Sequence, residues 1–151
     1  MFRESSIVLY HKYADMGAGI TPQVVDFQKG TPGSVDFDFF RIWNAIKNDG
    51  ATPQQLHYYH VHPSSYLRAS SMDRDCMIGW SKAFGTSIYN FHIITFKKPD
   101  LNSIDYAMST YVYDKRSSEM IQLSMLHTVS PLPAVMLSLL KLTSYGEDTC
   151  Q

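Results

Sequence analysis

The sequence holds little that would point to an extracellular, membrane-bound or nucleic-acid-binding protein. Only two cysteines occur in 151 residues, Cys76 and Cys150. One falls in a predicted helix and the other is the penultimate residue, so a bridge has weak support and a reducing compartment is expected. Charge of either sign is scarce: 18% of residues are charged, they are scattered, and the formal net charge is -1. That removes any electrostatic reason to expect nucleic acid or an anionic membrane as partner. The longest apolar run, Leu132 to Leu142, is interrupted by Pro133, Ser138 and Lys141 and is too short to span a bilayer. No apolar stretch with the length of a signal-peptide core follows Met1-Phe2-Arg3-Glu4, so no signal peptide is expected and a cytoplasmic location is. Internal repeats and low-complexity segments are also missing.

What remains is a chain sized for one domain, residues 1–151, able to bury a core without cross-links. Aromatic residues make up 13%, which suits extensive β-structure. Ile7-Val8-Leu9-Tyr10 reads as a strand buried on both faces within 5–13, and 20–27 as a returning edge strand despite Pro22. Lys29-Gly30-Thr31-Pro32-Gly33 is a loop by composition. Ser34 is the expected cap of a first helix, with Asp36 and Asp38 in its first turn and Val35, Phe39, Ile42, Trp43 and Ile46 as its apolar stripe. Further strands are expected over 55–62, 87–96, 107–113 and 119–126, a second helix from Ser70 or Ser71 to Gly85, and a third over 134–142. Residues 144–151 read as a flexible tail. Helices and strands do not alternate strictly, so the expected class is α+β with a central, largely antiparallel or mixed sheet.

One stretch carries chemistry. His60-Val61-His62-Pro63 puts two histidines two residues apart on a strand, where side chains alternate, so both imidazoles leave the same face and can reach one metal ion. Asp73 lies eleven residues beyond His62, at the start of the second helix, and can supply a third ligand if the Pro63 turn folds the chain back. Two His and one Asp leave one position of a tetrahedral zinc ion open, as in a catalytic site. The plainer reading is two half-buried strand histidines beside a helix N-cap, Ser70, and an acidic first-turn residue. The cap and the ligand roles are compatible.

His60-x-His62-Pro63, seven residues from Pro63 to Ala69, then Ser70-x-x-Asp73 resembles the signature of the JAMM (MPN-plus, JAB-domain) zinc metalloproteases. The resemblance implies a JAB/MPN-like, cytidine-deaminase-like fold, with a central mixed sheet flanked by helices. It also implies an upstream glutamate, opening a buried strand, as catalytic base. Glu4 is the only glutamate before His60 and stands at the head of the first strand. In that reading His60, His62 and Asp73 hold Zn2+, Glu4 moves the proton, and Ser70 donates a hydrogen bond to the forming oxyanion. Tyr59 or His57 are candidates for orienting a ligand, whereas His11, His92 and His127 read as structural or exposed and Cys76 as a small buried hydrophobe. The expected activity is hydrolysis of a peptide or isopeptide bond in a peptide or protein substrate, conjugates of a ubiquitin-like protein included. The alternatives are a phage tail-associated peptidase acting on cell-wall peptides and a non-catalytic MPN-type scaffold. Oligomeric state stays open.

Overall fold

A computed structural model describes residues 1–10, 22–48, 50–63, 66–124 and 132–146. The chain forms a single α+β domain: β1 (Ser5–Tyr10), β2 (Gln23–Lys29), α1 (Phe39–Asn48), β3 (Leu56–Val61), α2 (Ser71–Phe84), β4 (Ile88–Phe96), β5 (Tyr106–Asp114), β6 (Glu119–Leu123) and α3 (Ala134–Tyr145). The strands make one six-stranded sheet in the order β2-β1-β3-β4-β5-β6. Only the central pair β3–β4 is parallel, because α2 intervenes and carries the chain back over the sheet. No helix among the described residues is long and apolar enough to cross a membrane.

The interior strands are buried on both faces, and alternation sorts their side chains into two cores. Val8, Tyr58, Phe91 and Ile93 lie on one face with Ile42 of α1 and Met77 and Trp80 of α2. Ile7, Leu9, Tyr59, Ile94 and Phe96 lie on the other with Met136, Leu137 and Leu140 of α3. Each fully buried side chain of this size contributes about 1.5–3 kcal/mol, so both layers are needed to hold β1 and β3 in place.

The second helix is capped as its sequence predicts. Ser70 Oγ accepts from the Asp73 backbone N–H at 3.1 Å, and the Asp73 carboxylate accepts from the Ser70 N–H at 2.8 Å, a reciprocal capping box. Gly85 ends the helix at φ 71°, a left-handed conformation that favours glycine.

Two expectations need correction. The first helix starts at Phe39, and its cap is Asp38, whose carboxylate accepts from Phe40 N and Arg41 N at 3.0 and 3.2 Å. Ser34 instead closes a turn with Thr31, whose N–H donates to the Ser34 carbonyl at 2.7 Å. Asp38 prevails because the buried Asp26 accepts its N–H at 2.9 Å, which pins the helix entry to β2. The second correction concerns 144–151. The third helix continues to Tyr145, and Ser144 is fully buried with its hydroxyl 2.7 Å from that of Ser5. Buried Lys141 also ties this helix to the Ser103 carbonyl. Residues 147–151 lie outside the described residues.

Candidate metal centre

The sheet register brings the site together. Antiparallel pairing of β1 and β3 sets Ser6 opposite His60, so that two residues back from Ser6 and two residues on from His60 Glu4 comes to lie across from His62. Even-numbered residues of both strands share one face, the face that α2 covers. His62 stays in line with the sheet because its N–H donates to the Ile94 carbonyl at 2.9 Å. Glu4 is held by its main chain: its N–H donates to the Thr31 carbonyl and its carbonyl accepts from the Gly30 N–H, both at 2.8 Å. The 30–35 loop is thus part of the site.

The side chains converge closely. The Nε2 atoms of His60 and His62 are 2.7 Å apart, and Asp73 reaches them with one oxygen each, at 3.1 and 3.2 Å. One ligand atom from each of Glu4, His60 and His62 falls within a mutual distance of 4.8 Å. All three residues are buried, and Asp73 is half-buried. The rings of Phe37 and Phe91 stand edge-on to His60 at 6.1 and 5.2 Å, an apolar wall that fixes its orientation.

This environment sorts the charges. Burial pushes the His60 pKa below its ordinary value, against the pull of Asp73, so the ring is neutral near pH 7 and its nitrogen can act as a ligand. Burial alone would push the Asp73 carboxyl up, but His60 and His62 outweigh it and hold the group well below the usual carboxylate range. Burial pushes Glu4 up to about 7, with His62 opposing and Asp73 adding. The carboxylates of Glu4 and Asp73 therefore differ in their readiness to hold a proton, the pattern that separates a fixed anion from an acid–base group.

The donor inventory fits a cation. His62 Nδ1–H donates to the Tyr66 carbonyl at 3.1 Å, so that in the neutral ring Nε2 carries a lone pair facing the cluster, as in metal-ligating histidines whose other nitrogen is held by a carbonyl. Two carboxylates and that lone pair then meet with at most one N–H, from His60, to share. Its Nδ1 is buried without a hydrogen bond of ordinary geometry, though the His92 main chain exerts a weak favourable pull on the charged ring. An acceptor-rich, donor-poor, buried cluster is stabilised by a metal ion.

Above the cluster opens a cleft of about 400 Å³. The 32–37 loop forms one side, Pro63 and Tyr66 another, and Met72, Cys76 and Trp80 of α2 line it beside Ser70 and Asp73. Ser70 accepts a hydrogen bond in its cap role but keeps its own hydroxyl proton to donate. Cys76 faces the cleft but is inert as a nucleophile, since burial, with Asp73 and Asp36 adding, pushes its thiol up to about 12.

The other candidates fall elsewhere. His57 and Tyr59 lie on the opposite face of β3, so neither orients a ligand. His57 Nδ1 is 3.0 Å from His92 Nε2, and His92 Nδ1 is 2.7 Å from Thr110 Oγ1, a buried chain belonging to the other core. His11, His127 and Cys150 lie outside the described residues. Sequence reasoning missed the Tyr66 carbonyl, the Phe37 wall and the loop that holds Glu4. A loop rich in Gly, Pro and Thr was the only signal available for the last.

Fold and site together define a single-domain α+β protein with a buried His–His–carboxylate cluster able to hold a metal ion. No protein-family model and no curated protein matches the chain.

Proposed function

We propose that this protein is a zinc-dependent hydrolase of the JAMM type that cleaves a peptide or isopeptide bond. One observation carries the reading: two imidazole nitrogens and the Asp73 carboxylate converge at the floor of an open cleft with a buried glutamate beside them. Two nitrogens and one carboxylate oxygen suit zinc better than the harder magnesium or calcium, which take oxygen ligands. Bound there by His60, His62 and Asp73, zinc supplies a Lewis acid that polarises a carbonyl and acidifies water. The chain's own groups do the rest. Glu4 takes a proton from the attacking water as its oxygen bonds to the carbonyl carbon, and returns that proton to nitrogen as the C–N bond breaks. The Ser70 hydroxyl donates a hydrogen bond to the oxygen that gains negative charge.

The test begins with metal. Protein purified without chelator should carry about one zinc per chain, with ligand distances of about 2.0–2.2 Å by X-ray absorption. Less than a tenth of an equivalent after zinc loading would refute the assignment. Glu4→Gln should then lower hydrolysis of the best substrate, in a panel of peptides, isopeptides and cell-wall peptides, by about a hundredfold to ten-thousandfold with zinc content unchanged. Full zinc occupancy with no turnover anywhere on the panel would instead make the domain a non-catalytic metal-holding scaffold.

A further inference from the structure

We infer that the cleft takes substrates bearing a cationic group, a lysine, arginine or free ammonium, next to the scissile bond, and that Asp36 reads it. This rests on the hydrolase reading of the same site. The carboxylates of the region are unequally employed. Asp38 caps α1, and Asp26 holds the Asp38 N–H, the Gln28 amide at 2.9 Å and Arg41 at 3.9 Å. Asp73 serves His60, His62 and the Ser70 N–H, and Glu4 faces His62 in the cluster. Asp36 is the one left over: it lines the cleft and is exposed, and it has no hydrogen bond or ion pair among the described residues.

Among the described residues no lysine or arginine lines the cleft, whose acids are Glu4, Asp36 and Asp73. A divalent ion at its floor is balanced by Asp73 and ionised Glu4. Asp36 then remains as an uncompensated negative charge in a partly enclosed space, where low-dielectric walls strengthen its field. Its charge acts as far as Cys76, whose thiol it helps to push up. A monocation in the substrate neutralises this charge, and an acidic group in the same place is repelled. Tyr66 and Met72, 50% and 60% exposed beside the site, offer apolar surface for the methylene stem of a long basic side chain.

The test uses short peptide amides of a fluorogenic amine, identical except for Lys, Gln or Glu next to the reporter bond. For the zinc-loaded protein, kcat/KM should follow Lys, then Gln, then Glu, with Lys ahead of Glu by about tenfold. Asp36→Asn should cost the Lys peptide about fivefold, the scale of one solvent-facing ion pair, and Asp36→Lys should place Glu ahead of Lys. The same peptides are titrated by anisotropy against zinc-loaded Glu4→Gln protein with and without Asp36→Asn, so that recognition is read without turnover. A Lys preference in binding that disappears with Asp36→Asn, in the absence of any hydrolysis, keeps the cationic subsite and refutes the hydrolase reading. Turnover with no preference for Lys over Glu, a preference that survives Asp36→Asn, or binding of neither peptide overturns the inference. Unfolding does not confuse the result, because Asp36 supports no hydrogen bond, and the melting temperature of each variant checks it.

Discussion

Removing the charge of Glu4 should stabilise the metal-free protein at neutral pH. Burial raises the Glu4 carboxyl from 4.5 to about 7. An acid with a folded-state pKa above its unfolded value favours the fold while protonated. Its contribution is fully present below pH 4.5 and is lost as pH rises through about 7. Sealed from water, a shift of this size corresponds to about 3 kcal/mol; the carboxyl opens on the cleft, so about 1–2 kcal/mol is the expected loss after solvent screening. Glu4→Gln has the size of the protonated acid and cannot ionise. Metal-free wild type and variant should therefore melt together at pH 4.5 and separate by pH 8, with the variant higher by about 2–8 °C for a domain of this length. His60 and Asp73 also titrate, but they are present in both proteins and largely cancel in the difference. Zinc should close the gap, because a cation restores the benefit of the ionised carboxylate. A variant that melts at or below wild type at pH 8, or a gap that does not change with pH, would refute the assignment of Glu4 to this buried cluster.

Two further outcomes separate structure from chemistry. Ser70→Gly should cost only a few tenths of a kcal/mol, since glycine is an adequate N-cap, whereas Ser70→Ala should cost about 1 kcal/mol; both should slow hydrolysis by about a hundredfold with zinc retained. If turnover tracks the melting temperature across the pair, Ser70 acts only as a cap. Gly30→Ala should lower stability by about 1–3 kcal/mol and, by displacing Glu4, slow hydrolysis. A Cβ there would run into the Ser34 carbonyl and come within 2.7 Å of Val35 Cβ and 2.9 Å of the Glu4 carbonyl. A folded Gly30→Ala protein with wild-type turnover would show that the loop does not position Glu4.

Much of this was legible before folding because it is local. Strand alternation was enough to put His60 and His62 on one face with Leu56 and Tyr58 and to send His57, Tyr59 and Val61 to the other. Ser70 and Asp73 stand at the spacing of a capping box, so the helix start could be read directly. The first helix was misjudged for an equally physical reason. Ser34, Asp36 and Asp38 all look like caps one by one, and the choice of Asp38 is made by Asp26, twelve residues away, through a hydrogen bond to a backbone N–H. Such a bond leaves no mark on periodicity. The same holds for the loop at Gly30 and Thr31, whose composition announces a turn but not that its main chain clamps Glu4.

Asp73 explains why helix cap and metal centre coincide. Its carboxylate accepts the Ser70 N–H that would otherwise be unsatisfied at the helix start, a position where the helix dipole also favours negative charge. That anchorage fixes its direction and adds to the two histidines in keeping the group ionised, and both oxygens remain turned toward the two Nε2 atoms. A longer Glu at this position would lose the three-residue return bond to Ser70 or move its oxygens off the histidines. A helix that begins immediately behind the His-x-His strand therefore does more than cover the sheet: its first turn delivers an anion, already oriented and already deprotonated, to a site where burial disfavours the charged forms of His60 and Glu4. The affinity of the cluster for a cation should consequently depend on Glu4 for its pH profile and on Asp73 for its magnitude.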